Sequence, residues 1–418
     1  MKKFFFRNFV RRNSIGQEER RAANKVIKKG ILSDFLAADI KKFNGGFYVS
    51  KFEKKLKSFF KVKHALTFNS WTSGLIACVG AIDIEAGDEI ITSPFTMSAT
   101  VFAIVHWNGV PVFADINKDT FCLDPNAVEK KITSKTKAIL LVDINGHPSD
   151  IQPFLKLSKK YKIKIIVDAA QSIGARYINK NKYAGTLGNI GGYSLNVHKH
   201  INTGEGGVVV TNNQRLAKKI SFIRNHGENI VEKFKNDKHF FGYNFRMGEI
   251  EAAIGIEQLK KFPKILKKIQ THGRFLSEGL RNLDGLKIPF VAPNCTHSYY
   301  AFPIVIDLKK IKYTRKKLID LLQKEGVPMG AGYQNVHLLP FFQKKLKKGI
   351  GKYYWSKINK NVNYQKGICP IAEELHEKTY ISFPICHYKF TKKDLKKIIN
   401  SIKKVWLKLE IFKKKNDS

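Results

Sequence analysis

The sequence predicts an α/β protein: a large αβα sandwich around a mostly parallel sheet, followed by a smaller C-terminal α+β domain. Three observations carry this. Between residues 65 and 168, short apolar runs alternate with stretches whose apolar residues recur at helical spacing, the pattern of a parallel sheet covered on both faces. Around Phe241 to Phe262 the texture changes to long helical periodicity, and beyond Gly285 strand and helix candidates return in a new arrangement. With 418 residues, 43% of them hydrophobic, the chain can bury one large core and a second, smaller one. The expected divisions are an N-terminal segment at 1–45, a large domain at 46–262, a small domain at 263–410 and a charged tail at 411–418.

The elements follow in order. Residues 17–29 are charged with a helical pattern. Gly45-Gly46-Phe47 breaks the chain before an amphipathic helix over Val49–Phe60. Ala65–Phe68 is a short strand. Ser73–Ile84 is a helix, since Leu75, Ile76, Val79 and Ile82 fall on one face. Glu89–Thr92, Val110–Ala114, Ala138–Asp143 and Ile163–Asp168 are strands; Thr100–Asn108 and Ile151–Tyr161 are helices between them. Met247–Lys261 reads as one helix and a lysine-rich helix over Lys264–Leu283 as a second. In the small domain the strands are Tyr299–Ile306 and Tyr380–Pro384, and the helices are Arg315–Glu325 and Lys392–Leu409. The charged end, Lys413–Ser418, is expected to be disordered. There is no internal repeat.

Composition excludes several classes. The net charge is +41, with lysines spread along the whole chain and no groove-binding or strand-binding motif beside them. That favours a basic surface over a nucleic-acid-binding protein. Such a field still favours anionic substrates. The five cysteines, Cys78, Cys122, Cys295, Cys369 and Cys386, are odd in number and far apart, as for free thiols in a reducing compartment, and form no metal-binding motif. In the N-terminal stretch, Arg7, Arg11 and Arg12 interrupt the apolar residues before a signal-peptide core can form. No apolar run reaches membrane-spanning length. A cytoplasmic protein without membrane insertion is the expectation.

The most informative stretch runs from Ser194 to Gly207, SLNVHKHINTGEGG. It places a hydroxyl five residues before Lys199 and a glycine-rich turn after it. A hydroxyl can bind phosphate. A lysine amine in a dry pocket can form a Schiff base with an aldehyde. Pyridoxal 5'-phosphate carries both groups. Upstream, Asp168 ends the apolar run from Ile163, where ligands of open α/β sheets sit and where a carboxylate could pair with a protonated pyridine nitrogen. Asp168 could also cap the following segment. Thr72 and Ser73 open a helix, and hydroxyls and backbone N–H groups at a helix start bind phosphate as readily as they cap the helix.

These residues carry a resemblance. Asn69–Leu75, Ala86–Ile91, Asp168–Gln171, Ser194–Gly207, Arg224–Gly227 and Gly242–Met247 occur in the order of the motifs of the DegT/DnrJ/StrS-type nucleotide-sugar aminotransferases, a branch of the fold-type I pyridoxal-phosphate enzymes. The chain resembles that family over roughly residues 20 to 390. The resemblance implies that Lys199 holds the cofactor and moves protons, that Asp168 faces the pyridine nitrogen, and that Gln171 bonds the ring oxygen. It implies that Thr72, Ser73 and Ser194 take the phosphate, and that Asn244 reaches the phosphate of a partner subunit in a homodimer. Arg246 and His337 are implied on the substrate side. Two positions depart from the pattern: Trp71 stands where the family has a small residue, and Met97 where an aromatic ring stacks on the cofactor. Phe95 is a nearby ring.

The implied reaction is amino transfer from an amino acid, glutamate being the expected donor, to a keto nucleotide-linked sugar, with a place in polysaccharide biosynthesis. Two alternatives stand beside it. Sugar dehydratases of the same family carry histidine in place of the lysine; here His198 and His200 flank Lys199 but do not replace it. A non-catalytic basic binding protein is the other.

Overall fold

Seven strands form the large sheet in the order β1-β9-β8-β5-β4-β2-β3. The computed structural model describes residues 9–37, 39, 41–227, 241–344, 348–358 and 362–416. In chain order the first half comprises α1 (Gln17–Lys29), α2 (Phe47–Phe60), β1 (His64–Phe68), α3 (Trp71–Ala81), β2 (Glu89–Thr92), α4 (Ser98–His106), β3 (Val110–Phe113), α5 (Pro125–Glu129), β4 (Thr136–Val142), α6 (Ile151–Tyr161) and β5 (Lys164–Asp168). A small hairpin, β6 (Arg176–Tyr177) and β7 (Lys182–Tyr183), leads to β8 (Ile190–Ser194), β9 (Gly207–Thr211) and α7 (Gln214–Arg224). Strands β8, β5, β4, β2 and β3 are mutually parallel, and β9 alone runs against its neighbours. A mostly parallel sheet is what the alternation of runs predicts.

The sequence reading lacks β8 and β9. Gly191, Gly192 and Gly207 interrupt their apolar character and lower strand propensity. The reason for those glycines lies elsewhere in the chain. Helix α3 crosses directly over Gly192 and Gly207: a Cβ on Gly192 would stand 2.2 Å from the Trp71 ring and one on Gly207 2.5 Å from the Trp71 backbone nitrogen, while Gly191 lies against the backbone of Gly185. Only glycine lets the helix start sit this close to the sheet.

The two helices expected at 247–261 and 264–283 are one, α8 (Glu249–Leu280), with Pro263 inside it. Proline removes one N–H from the ladder. Packing on both sides holds the helix across the gap: Phe262 is fully buried against Phe59, and Lys261 pairs with Glu18 and Glu19 of α1. Near its far end Gly279 lies under Ile399.

The C-terminal part contains a three-stranded antiparallel sheet of β10 (Leu286–Lys287), β11 (Phe302–Ile306) and β12 (Tyr380–Phe383). Helices α9 (Arg315–Lys324), α10 (Pro340–Lys344), α11 (Gly349–Lys357), α12 (Pro370–Glu374) and α13 (Lys392–Asn416) accompany it. Where disorder is expected from Lys413, α13 continues to Asn416; lysine is a good helix former, and charge alone does not stop a helix. Residues 417–418 lie outside the described residues. Two apolar cores sandwich the large sheet and a third fills the small domain. Among the described residues no helix is long and apolar enough to cross a membrane.

Candidate active site

The parallel strands deliver their carboxyl ends to one edge, and the chemistry collects there. Strand β5 ends at Asp168 and β8 at Ser194. Helix α3 begins there too, capped by Ser70, whose hydroxyl accepts from the Ser73 N–H at 3.0 Å and lies 2.9 Å from the Ser73 hydroxyl. A cavity of about 450 Å³ opens at this edge, lined by Ser70, Thr72, Met97, Asp168, Gln171, Ser194 and Lys199, and by Tyr300 and Tyr333 from the C-terminal part.

Asp168 is buried and held from three sides. Its Oδ1 accepts from the Trp71 indole N–H at 2.7 Å and from the Ala170 N–H at 3.1 Å, and its Oδ2 from the Thr100 hydroxyl at 2.7 Å. The bulky Trp71 therefore has a purpose that a small residue at that position lacks. Its ring fills the space over Gly192 and its N–H fixes the carboxylate. Such bonds to a charged acceptor are worth about 1.5–3 kcal/mol each.

Lys199 sits on the loop after β8. Its Nζ lies 4.2 Å from the centre of the Tyr300 ring. Desolvation pushes its pKa down to about 8, against the opposing pull of Cys386 and Asp168. An amine so shifted is partly uncharged near neutrality and can act as nucleophile or base. Gln171 is buried, accepting from the Asn145 N–H at 2.8 Å and donating to the Tyr333 hydroxyl at 3.1 Å. Burial raises the pKa of both Tyr300 and Tyr333, which keeps the phenols protonated. Behind Asp168, burial pushes Asp143 up to about 7 although Ser149 and Ser172 donate to it.

The structure thus brings together Thr72, Asp168, Gln171, Ser194, Lys199 and Met97 at the cavity, while Ser73 is buried behind Ser70 and does not line it. Met97 is 55% exposed at the cavity wall. Phe95 cannot serve as the stacking ring, because it is buried against Phe121 and Tyr380. Asn244 and Arg246 do not line the cavity. The Arg246 Nε donates to the Asn244 side chain at 2.9 Å, and Asn244 is exposed. His337 corrects the expectation of a substrate-side histidine. It is fully buried, with its Nε2 3.0 Å from Glu373, whose carboxylate also accepts from the N–H groups of Gly367 and Cys369. A side chain enclosed in that way has no face toward a ligand.

Sequence reasoning missed Ser70, Thr100, Tyr300 and Tyr333 as site residues. Ser70 stood inside a recognised motif. The two tyrosines lie more than 100 residues from Lys199, and nothing local marks them. Of the flanking histidines, His200 is buried, with its Nε2 2.8 Å from the Ser298 carbonyl, while His198 stacks on His387 at the cavity wall; neither stands at the lysine position.

The residues present suit pyridoxal phosphate. Hydroxyls at the start of α3 and at Ser194 offer phosphate donors, the lysine amine is desolvated, and the carboxylate is fixed at the end of the neighbouring parallel strand. Comparison with known proteins agrees. An uncharacterized protein of Methanocaldococcus jannaschii is 33% identical over 402 residues, 94% of this chain and 96% of its own length. The UDP-4-amino-4,6-dideoxy-N-acetyl-β-L-altrosamine transaminase of Helicobacter pylori is 31% identical, with 80% of this chain and 90% of that one covered. The crystal structure of an aminotransferase from Psychrobacter cryohalolentis superposes with a TM-score of 0.84 at 26% identity, covering 96% of this chain and all of the other. The family model of the DegT/DnrJ/EryC1/StrS aminotransferases matches residues 36–403. With its fold, its cavity and its lysine in agreement, the chain belongs to this family of pyridoxal-phosphate-dependent sugar aminotransferases.

Proposed function

We propose that the chain transfers an amino group from an amino acid, with glutamate as the donor, to the keto carbon of a nucleotide-linked sugar, and that it works as a cytoplasmic homodimer. One observation carries the reading: Lys199, Asp168 and the hydroxyls of Ser70 and Ser194 line a single cavity. Bound there, pyridoxal phosphate supplies an aldehyde carbon that exchanges amines and a ring that withdraws electrons when its nitrogen is protonated.

The chain's own residues do the rest. The Lys199 Nζ, with its pKa lowered to about 8, takes the proton from the donor's α-carbon and delivers it again on the far side of the transfer. Asp168, held by Trp71, Thr100 and Ala170, would present its carboxylate to the ring nitrogen of the bound cofactor. The α3 start and Ser194 orient the phosphate. The Tyr300 ring lies against the lysine amine, which is 4.2 Å from the ring centre. The name of the Helicobacter pylori relative, a transaminase of a UDP-linked amino sugar, supports the acceptor class. The strongly basic chain suits a diphosphate-bearing substrate. The exposed Asn244, outside its own chain's cavity, is available to a partner subunit, and this supports the dimer.

The test is direct. The protein loaded with pyridoxal phosphate is reduced with borohydride and digested, and the label is located. It should sit on Lys199. Glutamate alone should then bleach the bound cofactor of unreduced protein, and a keto nucleotide sugar should restore it, giving ping-pong kinetics. A label on another lysine, or a cofactor that no common amino acid bleaches, would overturn the reading.

A further inference from the structure

We propose that Arg12, in the segment before α1, is a positioning residue for Lys199, clamping the lysine loop to the C-terminal part of the chain. The assignment rests on reading Lys199 as the cofactor-holding lysine. Residues 10–12 lie antiparallel to residues 387–389: the Arg12 N–H donates to the His387 carbonyl at 2.7 Å, the Lys389 N–H to the Val10 carbonyl at 2.9 Å, and Arg11 forms a β-bridge with Tyr388. This anchors the backbone of Arg12 on the small domain.

The guanidinium then reaches three main-chain carbonyls. Its Nε donates to Cys386 at 2.8 Å, one terminal nitrogen to His200 at 3.1 Å, and the other to the carbonyl of Lys199 itself. The planar fork of arginine suits this task, because its donors are rigidly arranged and always charged. Two residues on, Ser14 continues the same path. Its hydroxyl donates to Gln258 on α8, and the same Gln258 oxygen accepts from the Asn202 N–H at 3.4 Å. The loop after β8 is thereby held at Lys199, His200 and Asn202 by, or through, residues 12–14. None of these residues belongs to the large sheet.

The physical consequence is a fixed direction for the lysine side chain. Within the loop the Lys199 N–H donates to the Asn196 carbonyl, the Val197 N–H to the Gly204 carbonyl and the Thr203 N–H to the Leu195 carbonyl, and these bonds leave the Lys199 and His200 carbonyls to the guanidinium. With both the Lys199 and His200 carbonyls bound to one guanidinium, the peptide between them cannot rotate without breaking charged hydrogen bonds. The amine stays over Tyr300 at the cavity wall. Loss of the clamp frees the Lys199 and His200 carbonyls, and the amine gains solvent.

The experiment reads Lys199 in the full-length protein without cofactor. Competitive acetylation across pH, with mass spectrometry at Lys199 and all other lysines as internal references, gives its protonation midpoint. In the natural protein the midpoint should lie near 8, and in Arg12→Met it should move up toward the ordinary 10.5. Arg12→Lys keeps the charge without the fork and should fall between them. With cofactor bound, kcat should drop about tenfold or more in Arg12→Met while the KM for glutamate changes by less than about twofold. An unchanged Lys199 midpoint in a natively folded Arg12→Met overturns the proposal. If Arg12→Met does not fold, Arg12→Lys decides by the same criterion. Because the acetylation needs neither cofactor nor turnover, it stands apart from the borohydride test. A wrong assignment of the reaction would fail the latter alone.

Discussion

Holding Lys199 in a dry place costs stability, and the cost has a pH signature. The perturbation is Lys199→Met, which keeps length and apolar volume and removes the amine. Between the ordinary pKa of 10.5 and the lowered value of about 8, the unfolded chain binds a proton that the folded chain does not. Stability of the natural protein therefore rises with pH across that window and is lowest, for this group, below about 8. The depression corresponds to at most about 3 kcal/mol at 1.36 kcal/mol per pH unit. The methionine variant carries no such penalty. Without cofactor it should be more stable than the natural protein at pH 7 by up to about 3 kcal/mol, and the gap should shrink steadily as pH rises from 8 toward 10.5. Urea unfolding at pH 7, 8.5 and 10 measures this, and any constant packing difference cancels in the trend. A gap that does not change with pH, or that widens, would refute the account of a desolvated amine. The same shift leaves about a quarter of the lysine uncharged at pH 7.5, against about a thousandth for an ordinary lysine. This is the functional return on the lost stability.

Other outcomes follow from the same geometry. Asp168→Asn keeps its shape but loses the charge beside the ring nitrogen. Amino transfer should fall by about a hundredfold or more with the fold intact and a stability loss of about 1.5–3 kcal/mol from the weakened bonds to Trp71, Thr100 and Ala170, and near-normal turnover would dismiss the ion pair. His337→Ala breaks a fully buried pair with Glu373. It should lower stability by about 2–4 kcal/mol in thermal or urea unfolding, and the KM values for both substrates should stay within about twofold of normal; a selective rise for the sugar would restore the substrate-side role. Because the chain is strongly basic, the apparent affinity for the nucleotide sugar should weaken with added salt more than that for glutamate. Steady-state assays at rising ionic strength would show it, and equal salt slopes would count against it.

Much of this protein could be read along the chain. The parallel core was legible because β2, β4 and β5 are buried on both faces and so are written as continuous apolar runs. The lysine loop and Asp168 were legible because their motifs are local: spacing alone puts a hydroxyl, an amine and a glycine turn together. Strands β8 and β9 were not, because Gly192 and Gly207 answer to a helix that arrives from more than 100 residues away. The single helix α8 was hidden by Pro263, whose local rule yields to packing from α1 and α2. His337 looked like a ligand because a histidine's exposure is invisible in one dimension. The partners of the site residues were invisible for the same reason. Trp71 fixing Asp168, Tyr300 under the lysine amine and Arg12 on the lysine's carbonyl are pairs separated by roughly a hundred residues or more. The chain by itself determined which groups could do chemistry. Tertiary structure decided their protonation and direction, because desolvation and hydrogen bonding depend on what surrounds an atom in space and not on what precedes it in sequence.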